Sequence, residues 1–280
     1  MTDRRELAVV TGGASGIGFA LACRLGDRGC SLVLIDKNVA ELDAASSTLR
    51  EAGVDVATLE GDVRDPASMT ALAQTVADQH GSVDVLCANA GVSGPVMDLV
   101  WASRPDDWER VFGVNVFGTV NTLRAFVPAM VADARGQVLV TGSLTSFMTD
   151  QVAAVMYKSS KHALFAIVDS VRVQLQTIGS PVKIQFLAPG GVMTRIGEHE
   201  ATEAQRLRGA GAASPPHQAI EQALQLDVRG EVLGPDAVAA IAVDALGSDD
   251  FVIFTHSDSA ERVSLPWDDL VSTLSTFSRD

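Results

Sequence analysis

Tyr157 is the only tyrosine of the chain, and Lys161 follows it four positions later in the run YKSSK. Residues four apart on a helix share a face, so the phenol and the ammonium would lie side by side. An unperturbed phenol gives up its proton only near pH ~10, but a neighbouring cation favours the phenolate. Such a pair could pass a proton to or from an alcohol oxygen. The same spacing also suits a surface cation–π pair that does no chemistry, and on spacing alone that plain reading is favoured. What else the chain builds around Tyr157 decides between them.

A second chemical feature is TGGASGIG, residues 11–18, which follows an apolar run and opens a helical pattern. Gly12 permits a tight turn, Gly16 lets backbone approach a pyrophosphate, and Gly18 lets helix and strand pack closely. The helix start adds free N–H groups and the positive end of a dipole. Asp36 ends the second apolar run, eighteen residues after Gly18. A carboxylate there can accept from both hydroxyls of an adenosine ribose and would repel a 2′-phosphate. Lys37 is adjacent and could soften that discrimination. Asp62 ends the third run; it is either an acceptor for an adenine amino group or a turn residue.

These residues need a frame. Short apolar runs lie at 7–11, 31–36, 56–62, 83–90, 137–143, 182–189 and 250–255, separated by segments with helical patterning. Runs apolar on both faces are expected of buried parallel strands, and their alternation with helices predicts an α/β sheet covered on both sides. Two longer helices are expected, at about 105–131 and 154–177. Ser103 reads as the cap of the first, with Pro105 in its opening turn. Asn115 lies within that helix between Gly113 and Gly118, all poor helix formers. A local kink that lets Asn115 hold a water against Lys161 would explain them, as would close helix packing through the glycines.

The bulk composition excludes several partners. Lys+Arg number 21 against 35 Asp+Glu, a formal charge of −14. That argues against nucleic acid and anionic membrane, which need a basic face. The 47% hydrophobic and 20% charged residues predict a sizeable core. Cys23, Cys30 and Cys87 lack paired spacing and fit a reducing, cytoplasmic setting. No apolar run is long enough to span a bilayer, and the scattered histidines imply no metal. The chain reads as one domain over 1–280, with a Gly/Ala/Pro-rich segment at about 195–235 expected to serve as a substrate lid.

TGGASGIG, Asp36, DV at 62–63, NAG at 89–91, Asn115, Ser143, YKSSK and PGGVMT at 189–194 occur in that order. Together they resemble the classical short-chain dehydrogenase/reductase family. The resemblance implies a Rossmann-type doubly wound parallel sheet of about seven strands. It implies an oxidoreductase that interconverts a secondary alcohol and a ketone with NAD in preference to NADP. Tyr157 would be the general acid/base, Lys161 its cation and the holder of the nicotinamide ribose, and Ser143 the group that orients the substrate oxygen; Asn115 completes the set. Nucleotide contacts are implied for Gly12, Ser15, Gly16, Ile17, Gly18, Asp36, Asp62, Val63, Asn89, Gly91, Tyr157, Lys161, Pro189, Gly190, Val192 and Thr194. Ala88 and Ser159 depart from the family pattern without touching a reactive group. In this company the plain reading of YKSSK recedes. The apolar candidates for a pocket wall, among them Val92, Leu144, Phe147, Met156, Met193 and Ile196, suggest a neutral, hydrophobic small molecule. The resemblance also suggests a homotetramer or homodimer, with Val116, Phe117, Val120, Leu164, Val168 and Val171 as candidates for its contact. The rival from another class is a catalytically silent nicotinamide-binding sensor or scaffold, which would be expected to have lost one of the four catalytic residues.

Overall fold

The computed structural model describes residues 5–95, 99–148, 154–193 and 232–263. Each of the seven apolar runs forms a strand. They are β1 (Leu7–Thr11), β2 (Ser31–Asp36), β3 (Val56–Glu60), β4 (Val85–Ala88), β5 (Gln137–Thr141), β6 (Lys183–Ala188) and, after a short pair β7 (Gly191–Val192) and β8 (Val232–Leu233), β9 (Val252–Phe254). The seven make one parallel sheet in the order β3-β2-β1-β4-β5-β6-β9. The chain steps outward from β1 to β3 and then crosses to β4 on the other side of β1. Such a reversal opens a crevice at the carboxyl ends of the two central strands, where open α/β sheets bind ligands.

The strands bury both faces because their side chains alternate between two cores. Ala8, Val10, Leu32 and Leu34 face helices α1 (Gly16–Asp27), α2 (Val39–Glu51) and α7 (Pro235–Asp244) through Leu21, Leu25, Leu42, Leu49 and Val238. Leu7, Val9, Val33 and Ile35 face α3 (Pro66–His80), α5 (Thr119–Ala132) and α6 (Val155–Thr177) through Met69, Val76, Leu123, Phe126, Leu164 and Val168. Each large aliphatic side chain so buried contributes about 1.5–3 kcal/mol. Among the described residues no helix is long and apolar enough to cross a membrane.

Helix starts differ in a way that bears on function. The Asp65 carboxylate caps α3 by accepting from the Ala67 and Ser68 N–H groups, and the Asn38 side chain caps α2 by accepting from Glu41. At α1 the cap position is Ser15, which makes no side-chain capping bond. The first N–H groups of that helix therefore have no capping side chain and point toward the crevice end of β1.

The long helix expected at 105–131 runs from Pro105 to Ala132, but not as a uniform α-helix. It is α4 (Pro105–Phe112), a π-helical turn over Gly113–Gly118, and α5. The wide turn accommodates the weak helix formers, and the Thr119 and Thr122 hydroxyls donate to the carbonyls of Asn115 and Gly118 at 2.9 and 2.8 Å. The expectation for Ser103 is corrected: the cap position is Arg104, because Pro105 is itself the first helical residue. Ser103 instead accepts a 2.7 Å hydrogen bond from the Trp108 indole and donates to Val100.

β7 and β8 pair in parallel, Gly191 with Val232 and Val192 with Leu233, and the Met193 N–H donates to Leu233. Gly191–Met193 and Val232–Leu233 thus lie side by side. Of the segment expected to form a lid, residues 195–231 lie outside the described residues.

Candidate active site

The glycine loop wraps the carboxyl end of β1. Gly12 and Gly16 have φ of +63° and +55°, the left-handed region that favours glycine. A Cβ at Gly18 would overlap the Gly12 carbonyl and come within 2.5 Å of the Asn89 amide, so nothing but hydrogen fits. Asn89 fixes the loop. Its amide donates to the carbonyls of Thr11 and Gly12 at 3.3 and 3.2 Å and accepts from the Thr141 hydroxyl at 3.0 Å. One side chain therefore ties the ends of β1, β4 and β5 together.

Asp36 stands across from this loop. Its carboxylate accepts from the N–H groups of Ala14 at 3.4 Å and Asn38 at 3.1 Å. Burial pushes its acidity toward weaker acid, and those two N–H groups oppose the shift. Asp62 is otherwise engaged: Arg64 forks onto it, with Nε 3.0 Å from both carboxylate oxygens. That guanidinium holds the Asp62 carboxyl below the usual range. Val63 is buried beneath Gly118, where a Cβ would strike its side chain at 2.5 Å, and the buried Asn121 amide donates to the Val63 carbonyl at 2.9 Å.

These parts fit an extended dinucleotide: an uncapped helix start, a cradle that a Cβ would fill, and a carboxylate at the end of the second strand.

The four expected catalytic residues converge beside this cradle. Ser143 sits just past β5, held by main chain on either side: the Gly142 N–H donates to Leu187 at 2.8 Å and the Leu144 N–H to Pro189 at 2.7 Å. Gly142 lies flat on the Phe186 ring, which a Cβ would overlap. The Ser143 hydroxyl stands beside the Tyr157 phenol and favours its ionised form. One turn along α6, the Lys161 ammonium is 5.6 Å from the Tyr157 ring centre and donates to the Thr141 carbonyl at 2.8 Å.

Lys161 is 3% exposed, and burial brings its pKa down to about 8. Burial also raises the Tyr157 phenol, with only the Ser143 hydroxyl pulling the other way. Burial penalises the charged form of both groups, the phenolate and the ammonium.

Asn115 is fully buried in the π turn. Its amide donates to the Val92 carbonyl and the Ser160 hydroxyl and accepts from the Val92 N–H, each at 2.9 Å. Asn115 therefore clamps the loop after β4 against α6. Its remaining lone pair faces Gly91, as does Lys161: a Cβ on Gly91 would lie 3.4 Å from Asn115 Oδ1 and 3.6 Å from Lys161 Nζ.

Sequence reasoning missed His256. It lies in the loop after β9, 5% exposed, beneath the Pro189–Val192 segment. Its Nδ1 accepts from the Gly190 N–H at 3.1 Å and lies 2.8 Å from the Thr255 hydroxyl, while Nε2 is 3.0 Å from the Gly191 carbonyl. The acceptor role of Nδ1 leaves the ring proton on Nε2. A Cβ at Gly190 would stand 2.9 Å from that ring, which explains the glycine. Thr194 and Ile196 lie outside the described residues. Phe147, expected on the pocket wall, packs into an aromatic cluster, 4.6 Å from Phe165 and 5.6 Å from Phe254 between ring centres.

The short-chain dehydrogenase family model matches residues 6–205. The chain belongs to the short-chain dehydrogenase family. A relative from Streptomyces avermitilis, 1-deoxy-11-beta-hydroxypentalenate dehydrogenase, is 37% identical over 94% of this chain and 89% of its own length. Among solved structures, a short-chain dehydrogenase/reductase from Burkholderia phymatum in complex with NAD superposes with a TM-score of 0.86 at 31% identity, covering 98% of this chain and 97% of that one. A metagenomic short-chain oxidoreductase in complex with NADP gives 0.62 at 32% identity, over 73% of this chain and 91% of that one. The chain is thus similar to family members found with either nucleotide, so cofactor choice has to be argued from its own residues.

Proposed function

We propose that this short-chain dehydrogenase oxidises a secondary alcohol, or reduces the matching ketone, on a hydrophobic small molecule, with NAD as the nucleotide and Tyr157 as the proton-transfer group. The observation that carries the reading is the convergence of Ser143, Tyr157, Lys161 and Asn115 at the crevice end of β4, β5 and α6. A bound nicotinamide supplies the hydride acceptor or donor. The chain supplies the rest. The Ser143 hydroxyl donates to the substrate oxygen and holds it against Tyr157. Tyr157 takes the hydroxyl proton in oxidation and returns it in reduction. Lys161, fixed on the Thr141 carbonyl, presents its remaining N–H donors to the nucleotide ribose.

Preference for NAD rests on Asp36. Its carboxylate already faces the glycine loop through Ala14, where a 2′-phosphate would meet like charge. The neighbouring Lys37 ammonium favours the ionised form of Asp62. The Streptomyces relative is named for a hydroxylated acid, pentalenate, so the assay panel should contain hydroxylated alicyclic compounds with and without a carboxylate.

The test is a panel of cyclohexanol, 1-indanol, borneol and hydroxy acids, followed by absorbance of the reduced cofactor. The wild type is expected to show higher kcat/KM with NAD than with NADP. Tyr157→Phe is expected to lower kcat by at least about 100-fold and to leave NADH affinity within about 3-fold. A Phe variant that retains a tenth of the activity would remove Tyr157 from its role; a preference for NADP would do the same for Asp36.

A further inference from the structure

Ser143 has one proton to give and two oxygen lone pairs to fill. Both lone pairs are addressed by the same neighbour. The Thr145 N–H donates to Ser143 Oγ at 3.2 Å, and the Thr145 hydroxyl lies 2.9 Å from the same oxygen. The N–H can only donate. If the Thr145 hydroxyl donates too, the acceptor capacity of Ser143 is full and its proton has one remaining direction, toward the Tyr157 phenol and the substrate oxygen beside it. If the hydroxyls were reversed, Ser143 would give its proton to Thr145 and have none for the phenol. The geometry is that of the first arrangement, with Thr145 Oγ1 donating to Ser143 Oγ.

The setting makes this direction consequential. Ser143 is 6% exposed, its backbone is clamped through Gly142 and Leu144, and its oxygen is held by both Thr145 bonds. Among the described residues Lys161 is the charged group beside the Tyr157 ring, and its ammonium is spent partly on Thr141. The Ser143 hydroxyl is therefore a principal local aid to phenol ionisation, and Thr145 decides whether that aid is aimed.

We propose that Thr145 is a positioning residue that fixes the donor direction of Ser143 and so prepares both the substrate oxygen and Tyr157 for proton transfer. The inference rests on the functional reading given above. The side chain of Thr145 acts through Ser143 and needs no contact with the reacting atoms.

Three variants test it: Thr145→Val, which keeps the shape and the main-chain donor but loses the hydroxyl; Thr145→Ser, which keeps the hydroxyl; and Thr145→Val combined with Ser143→Ala. With the fastest secondary alcohol of the panel, Thr145→Val should lower kcat about 5- to 20-fold with KM for NAD changed less than about 2-fold, the size expected for one hydrogen bond made to the reacting set. Thr145→Ser should recover most of the rate. In the Ser143→Ala background Thr145→Val should cost nothing further, because a residue acting only through Ser143 has nothing left to act on.

A second readout needs no substrate. Because the chain has one tyrosine, ultraviolet absorption of the phenolate reports Tyr157 alone. Its titration midpoint, read on folded protein with circular dichroism as the check, should move to higher pH in Thr145→Val and stay near the wild-type value in Thr145→Ser. An unmoved midpoint, an undiminished kcat, or an equal further loss in the Ser143→Ala background would overturn the inference. If no panel alcohol is turned over by the wild type, the functional reading fails on its own, and the phenolate titration still decides whether Thr145 aims Ser143.

Discussion

At the scale of single residues, Tyr157 and Lys161 are both pushed toward neutrality by burial, the phenol upward and the ammonium down to about 8. Folding thus works against both charges. On the proposed function, the positive nicotinamide favours the ionised phenol when reactants are bound, while the Ser143 proton goes to the substrate oxygen. The cost of Lys161 has a definite sign. Because folding weakens its hold on a proton, the unfolded chain binds more protons between pH about 8 and the ordinary lysine value of 10.5. The residue's burden on stability is therefore complete below pH about 8 and is relieved as pH rises through that window. Lys161→Met carries no such burden. Urea unfolding of variant and wild type should show the difference, variant minus wild type, falling by about 1–3 kcal/mol between about pH 7 and about pH 10. A difference that stays flat would mean that Lys161 keeps its proton throughout, stabilised by something other than the Thr141 carbonyl.

At the scale of elements, the site is held by bonds between segments far apart in the chain. His256 couples the loop after β9 to the Gly190–Gly191 turn that leads into β7. His256→Phe would keep a ring of similar shape but remove the partner of the half-buried Gly190 N–H and of the Gly191 carbonyl. It should destabilise the protein by about 1–3 kcal/mol and weaken NADH binding, since Pro189, Gly190 and Val192 are proposed nucleotide contacts. Urea midpoints and NADH fluorescence titration read the two effects, and a variant unchanged in both would show that the turn holds without the imidazole. Nothing in the sequence marked this residue: a single histidine after a terminal strand has no periodicity, and its partners lie 65 and 66 positions away. Gly142, Asn121 and Ser160 escaped for the same reason. The strands were legible because runs such as SLVLID bury both faces and admit few alternatives. The weak helix formers around Asn115 correctly marked a distortion, whereas the cap one residue away was misplaced because proline opened the helix itself. YKSSK and TGGASGIG could be read because each carries a pairing within itself, Tyr157 with Lys161 and Gly18 against the Gly12 carbonyl.

At the scale of the whole molecule, the proposed homo-oligomer has to be argued from what the fold leaves uncovered. Of the six apolar residues considered for the contact, Val116, Leu164 and Val168 are buried within the chain, which removes them from any partner surface. Phe117 is different. It stands 62% exposed in the π turn, between the buried Val116 and Gly118, and α6 exposes Val173 at 46%. The π turn that directs Asn115 inward also sets Phe117 outward, so a partner seated on Phe117 would brace the element that positions Asn115. Each chain carries a formal charge of −14, which opposes association and is screened by salt. Light scattering at micromolar concentration should therefore show a dimer or tetramer that dissociates more readily at low ionic strength. Phe117→Glu should shift the population toward monomer and lower kcat with little change in the thermal unfolding of the isolated subunit, because the side chain is solvent-facing there. A wild type that is monomeric at every salt concentration would sink the assembly. A Phe117→Glu variant that remains assembled would place the contact elsewhere, and one that becomes monomeric with full activity would show that the π turn holds Asn115 without a partner.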